Sequence, residues 1–369
     1  MRKLSAAGIL GMLSGLVGAT ALAAPPAPSK AEGAKAEPAK VAAATAQPPT
    51  VMRDAMVDRW DIAAMNKIVP ESWTIEKVAE GFEWAEGPLW IKSGGGYLLF
   101  NDVPGNKMWK WSEKGGLEKF LDPSGAVTVD TNVWREAGAN GMAPDGKDSV
   151  LVADTGNRGI QRLSLKTKKK TPVAMAYEGR KLSSPNDVIQ TKAGVVFFSD
   201  PPYGFKKFDD APEKEQSFNG VYRMGKDKKV SVIETTLYRP NGVALSPDER
   251  TLYVAQSEPT KPIIMAYTLD KDAKTTGKKV FADFTDLVAP DAPGLPDGIA
   301  VGADGTLFAT GPGGVIVLSA DGKRLGRIRD GKPTANCKFG DDGRTLYMTS
   351  KDIVARIRLN IVGAGFNRK

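Results

Sequence analysis

Residues 184–204 read SPNDVIQTKAGVVFFSDPPYG. The stretch opens on a polar head, Pro185-Asn186-Asp187. A short strand follows, Val188-Ile189-Gln190. Lys192-Ala193-Gly194 forms a turn, and Val195–Phe198 is an apolar second strand. A polar tail, Asp200-Pro201-Pro202-Tyr203, closes the unit. One such unit is ordinary, but the chain repeats it.

Glu86-Gly87-Pro88 leads into LWIKSGGGYLLFND, and Asn140-Gly141-Met142 into APDGKDSVLVADT. Pro240-Asn241-Gly242 leads into VALSPDERTLYVAQ, and Pro296-Asp297-Gly298 into IAVGADGTLFATG. Asn336-Cys337 leads into KFGDDGRTLYMTS. The heads Glu86, Asn140, Asn186, Asn241, Asp297 and Asn336 thus recur at intervals of roughly 40–55 residues, the spacing of propeller blades. Further strands lie outside each pair, such as Gly159–Leu165, Gly220–Arg223 and Val315–Ser319. The expected fold is all-β: a six-bladed β-propeller with a central metal site. Trp73–Val78 and Ile353–Leu359 are expected to share the last blade and close the ring, since an open blade edge would template aggregation.

The heads themselves are chemically selective. All six side chains carry oxygen and none is apolar. Asn-Gly and Asp-Gly also make hairpin turns, which is the competing explanation for each pair taken singly. Across the set it weakens, because the later units have separate turns at Asp145-Gly146, Ala193-Gly194, Pro247-Asp248, Asp304-Gly305 and Asp342-Gly343. One head per blade would form a ring at one mouth of the central channel. An oxygen-only ring with two carboxylates and several amides suits a hard divalent cation, Ca2+ first, with Mg2+, Mn2+ or Zn2+ as alternatives. Glu86 and Asp297 would neutralise the charge, and the asparagines would add dipoles without repulsion.

The rest of the chain bounds the function. Residues 1–23, with Arg2, Lys3, a modest apolar core and Ala21-Leu22-Ala23, read as a secretory signal peptide. That implies a periplasmic or secreted protein. The apolar run is too short and too rich in Gly and Ser for a transmembrane span. Residues 24–50, rich in Ala, Pro and Lys, read as a flexible tether. Residues 51–70 read as an N-terminal arm and 71–369 as the propeller. The single Cys337 reads as a buried apolar residue. With no His in the chain, a Ser-His-Asp triad and the commonest zinc ligand are excluded. The balance of 51 basic and 43 acidic residues is mildly positive. No stacking aromatics interleave with the lysine runs, which argues against nucleic acid.

The set EGP-LW, ANGM-PDG, VADTGNRGIQRL, SPNDV-FFSDPPYG, RPNGVALSPDERTLYVAQS, LPDGIAVGADGTLFATGPGGV and NCKFGDDGRTLYMTS resembles the SMP-30/gluconolactonase/LRE family, most of all its bacterial gluconolactonases. The resemblance covers roughly residues 75–360. It implies a propeller with a catalytic divalent metal in the tunnel, acting on sugar lactones and other lactones. Carried over motif by motif, Glu86, Asn241 and Asp297 resemble the core metal ligands. Asn186 resembles a fourth position, and Asp297 is also the candidate general base. One departure stands out: where gluconolactonases carry Glu-His-Gly-Asn-Arg, this chain has Asp154-Thr155-Gly156-Asn157-Arg158.

The expected activity is hydrolysis of a small-molecule lactone by metal-activated water. Asn140, Asp200, Tyr203 and Arg239 are the candidate substrate-binding residues beside the metal. The alternative is a non-catalytic propeller with a structural cation that binds a ligand or an envelope partner.

Overall fold

The structure is a computed structural model, and it describes residues 48–366. The leader and nearly all of the tether lie outside the described residues. Six antiparallel meanders account for almost every strand. They span residues 85–121, 139–174, 188–234, 240–283, 299–329 and 334–358, blades 1 to 6 in chain order. The first strands of neighbouring blades touch one another in sequence, and that of blade 6 touches that of blade 1, so they enclose the axis. Each head sits at the start of its first strand.

Ring closure follows from the two ends of the chain. Ile353–Arg358, third strand of blade 6, pairs antiparallel with Ile75–Glu80, which supplies the fourth. The register runs from Ile353 opposite Glu80 to Ile357 opposite Ile75. The stretches Gly159–Ser164, Gly220–Met224 and Gly314–Leu318 are third strands. Outside them lie fourth strands such as Lys170–Ala174 and Thr275–Asp283. Their mostly exposed polar residues give no apolar alternation, which is why the sequence left them unread.

The arm is a pair of short strands followed by a helix. Met56–Arg59 adds a fifth strand to the outer edge of blade 5, and Thr50–Val51 adds one to blade 6. Between them and the first blade lies the helix Ile62–Ile68. Asp61 caps it by accepting from the Ala64 N–H at 3.0 Å. Met65 and Ile68 are buried in the cluster that also holds Phe308, Leu346, Met348 and Ile357. The arm therefore covers two blade edges and adds apolar surface to the closure. Cys337 lies in the same cluster, and burial pushes its thiol up to about 12.

The glycine after the head has a purely steric reason. Gly141, Gly242 and Gly298 do not adopt positive φ, and only Gly87 does, at 53°. These pairs are not type I′ hairpin turns, which need positive φ at both positions. Instead a Cβ on Gly87 would fall 2.1 Å from the Asn140 carbonyl oxygen, and on Gly242 2.0 Å from that of Asp297. On Gly298 it would fall 2.0 Å from Asn336 Oδ1. Each glycine lets the backbone of one blade lie against the head of the next. Gly242→Ala is therefore expected to cost about 1–3 kcal/mol through overpacking at a site that cannot give way. Gly277→Ala, on an exposed strand with ordinary backbone and its nearest neighbour, Thr268 Oγ1, at an ordinary contact distance of 3.9 Å, serves as the control. Thermal unfolding checks this. Equal melting temperatures for the two variants would contradict the close-approach explanation.

Candidate active site

The six heads form a closed circle of contacts. Gly141 N–H donates to the Asn186 carbonyl at 2.8 Å, joining blades 2 and 3. The Asp187 carboxylate accepts from Val188 N–H at 2.9 Å and from Val243 N–H at 3.0 Å, joining blades 3 and 4. Gly298 N–H donates to Ala335 O at 2.8 Å, joining blades 5 and 6. Asn336 Nδ2 donates to Glu86 Oε2 at 3.2 Å, bringing blade 6 back to blade 1. Asn101 Nδ2, from the second strand of blade 1, donates to the Asn140 carbonyl at 2.5 Å.

Within this circle the predicted ligands differ in how their oxygens are used. Glu86 Oε2 accepts from Gly87 N–H at 2.9 Å as well as from Asn336. Asn336 Oδ1 accepts from Cys337 N–H at 2.9 Å, so that oxygen is turned back onto its own strand. Asn241 Nδ2 donates to Ser257 Oγ at 2.9 Å. The oxygens Asn140 Oδ1, Asn241 Oδ1 and Asp297 Oδ1 are buried and take no hydrogen bond from the described residues. Asn101 Oδ1 shares that state. Buried oxygens without donors are costly, and several at the heads of a single circle call for a common partner. Among the described residues no three His, Cys, Asp or Glu side chains gather as a metal cage. The heads offer two carboxylates, and amides make up the remainder. A hard cation accepts that donor set, so the residues present fit a divalent ion.

The electrostatics point the same way. Burial pushes the Glu86 carboxyl up to about 7, with Asp187 and Glu136 adding repulsion. Asp297 is raised well above the usual carboxylate range by burial first, then by Glu86, Asp187 and Glu136. Asp187 is raised by burial, against the pull of the Lys338 ammonium. Carboxyls this crowded hold either protons or a cation.

The predicted substrate residues are distributed unevenly. Asn140 is a head. Burial raises the Tyr203 phenol above the ordinary value, and Asp297, Arg239 and Glu136 act on it from nearby. Its ring meets Phe208 edge-on at 6.5 Å. Arg239 pairs with Asp209 at 2.5 Å and stacks over Tyr238 at 4.0 Å. Asp200 is set apart. It is fully buried, and its two oxygens accept from Ser183 and Ser184 N–H at 2.8 Å each. It orders the turn that delivers Asn186, and burial pushes it up to about 7.

Several neighbours of the heads were not read from the sequence. Glu136 arrives from the irregular connection between blades 1 and 2, held by its N–H to Gly204 O at 3.2 Å and by a contact with Arg135. Burial pushes it up to about 7. Its only sequence signal is an acidic residue four positions before Asn140. Thr310 accepts from Asp297 N–H at 3.0 Å. Ser257 carries no motif at all.

Comparison with known proteins identifies the family and agrees with the fold. Residues 84–352 match the model of the SMP-30/Gluconolactonase/LRE-like region. A gluconolactonase of Zymomonas mobilis is 40% identical over 305 residues, covering 81% of this chain and 85% of that one. The solved gluconolactonase of Xanthomonas campestris superposes with a TM-score of 0.72 at 28% identity, over 86% of this chain and 99% of that one. Regucalcin of Agrobacterium tumefaciens, a calcium-binding protein, shares the fold at TM-score 0.59 and 18% identity, over 78% of this chain and 94% of that one. With a six-bladed ring, oxygen-bearing heads and relatives named for lactone hydrolysis, this chain belongs to the SMP-30/gluconolactonase/LRE-like family and is an enzyme of the lactonase class.

Proposed function

We propose that the circle of heads binds one divalent cation, Ca2+ by its ligand chemistry, through Glu86, Asn186, Asn241 and Asp297. At this mouth the enzyme opens a sugar lactone or a related lactone. The observation that carries the reading is the pair of buried ligand oxygens without donors, Asn241 Oδ1 and Asp297 Oδ1, with Asn140 Oδ1 in the same state on a neighbouring head. The 40% identity to a gluconolactonase supports the substrate class. When bound, the cation supplies Lewis-acid chemistry to the ester carbonyl and makes nearby water more acidic.

The chain's own residues do the rest. Glu86 and Asp297 compensate the ion's charge, and the amides of Asn186 and Asn241 add oxygen without further repulsion. Asp297 takes a proton from the attacking water. It returns that proton to the ring oxygen as the ester C–O bond breaks, so lactone and water give one hydroxy acid. Asn140, Tyr203 and Arg239 hold the substrate, while Asp200 acts through the Ser183–Ser184 turn. The leader-like residues 1–23 support export to the periplasm or outside the cell.

The test is hydrolysis of aldonolactones, aliphatic lactones and aryl phosphoesters by the full chain, chelated and then reloaded with Ca2+, Mg2+, Mn2+ or Zn2+. Lactone opening that is lost on chelation and restored by one of these ions is the expected result. Activity unchanged by chelation would remove the metal from the reading, and absence of any lactone opening would overturn it.

A further inference from the structure

Ser257 follows the second strand of blade 4 and belongs to no head. Its hydroxyl links two neighbouring heads. It donates to the Pro296 carbonyl, next to Asp297. It accepts from Asn241 Nδ2 at 2.9 Å. Its backbone N–H is held by Arg239 O at 3.0 Å.

A hydroxyl has one proton and two lone pairs. A carbonyl can only accept, so the Ser257 proton must go to Pro296. Its lone pairs are then what Asn241 meets. Asn241 has to present its NH2 group, which leaves Oδ1 as the free end of the amide. A flipped Asn241 would face a lone pair with its own oxygen and leave the NH2 end buried where Oδ1 now lies without a donor.

We infer that Ser257 is a positioning residue that sets the Asn241 amide with its oxygen free for the cation and ties it to the backbone of the next head. The inference rests on the metal reading above. Outer partners of metal ligands commonly affect affinity by about 10- to 100-fold.

The experiment is calorimetric titration of Ca2+ into the chelated full chain and into its Ser257→Ala, Ser257→Thr and Tyr203→Phe variants. The Ca2+-induced rise in melting temperature and the split of lactone hydrolysis into kcat and KM are measured alongside. Ser257→Ala is expected to bind Ca2+ about 10- to 100-fold more weakly, with a smaller thermal shift and with kcat recovering at saturating ion. Ser257→Thr, which keeps the hydroxyl, is expected to retain affinity. Tyr203→Phe leaves the Asn241–Ser257 bond in place, so it should change KM and not affinity. A lower melting temperature in Ser257→Ala with unchanged Ca2+ affinity would make the residue merely structural and overturn the inference. So would a Thr variant as weak as the Ala variant. If the unaltered chain bound no Ca2+, this inference and the metal reading would fall together. Intact wild-type binding with an unaffected Ala variant would remove this inference alone.

Discussion

Asp297→Asn is expected to hydrolyse lactone about 100- to 10,000-fold more slowly than the unaltered enzyme at saturating cation, the range typical for loss of a proton-transfer group. The substitution keeps the size of the side chain and an oxygen in place. It also leaves the backbone bond from Asp297 N–H to Thr310 intact. What it removes is the ability to take a proton, together with one of the two head charges. Excess cation can offset the charge and not the proton transfer. A cation titration of kcat therefore separates the two roles. Recovery of wild-type kcat at high cation would move the base elsewhere. Asp200 is then a poor successor, because backbone N–H groups occupy both its oxygens. Glu136, buried on the same side and acting on both Asp297 and Tyr203, would take its place.

Glu86→Gln should act on cation binding more than on chemistry. Glutamine can still accept from Gly87 and Asn336, so the contact between blades 6 and 1 survives. The lost charge should weaken affinity by at least the roughly 10- to 100-fold that an outer partner costs. A second readout is the pH dependence of the chelated protein. The Glu86 carboxyl stands at about 7 when folded, against an unfolded value of about 4.3. Between those values the native state holds a proton that the unfolded chain has released. Stability therefore falls as pH rises from about 5 to about 7. Glu136, also at about 7, adds to the fall, and so does Asp297. Chelated wild type should lose melting temperature across this window. Glu86→Gln should lose less, and cation should flatten the profile of the wild type. An identical slope for chelated wild type and Glu86→Gln would contradict the burial of an ionisable Glu86.

Much of this was legible in the chain itself. Strands of two residues' period and turns at regular spacing encode blades locally, so six copies of the pattern gave the ring. A polar residue left over from turn duty, repeated at every blade start, marked the heads. Closure by Ile75–Glu80 against Ile353–Arg358 followed from the need to pair an edge. Other features leave no local trace. Exposed fourth strands such as Thr275–Asp283 carry no apolar alternation, because only one of their edges meets the blade. The arm finds blades 5 and 6 through edge pairing, which any strand could offer.

The fold, the six heads and their oxygen chemistry were readable from the chain, since these depend on residue type and spacing. How each oxygen is used emerges only once the blades are packed together. Asp200 was read as a substrate-binding residue, yet both its oxygens accept from the Ser183 and Ser184 N–H groups. Asn336 looked like Asn241 until its oxygen was found on Cys337. Glu136 and Ser257 enter from connections outside the repeat. A hydrogen bond saturates one particular atom, and which atom is saturated depends on neighbours more than 50 positions away or on a single local bend. Residue identity states what a side chain can bond, and packing across the blades settles which of those bonds is left open.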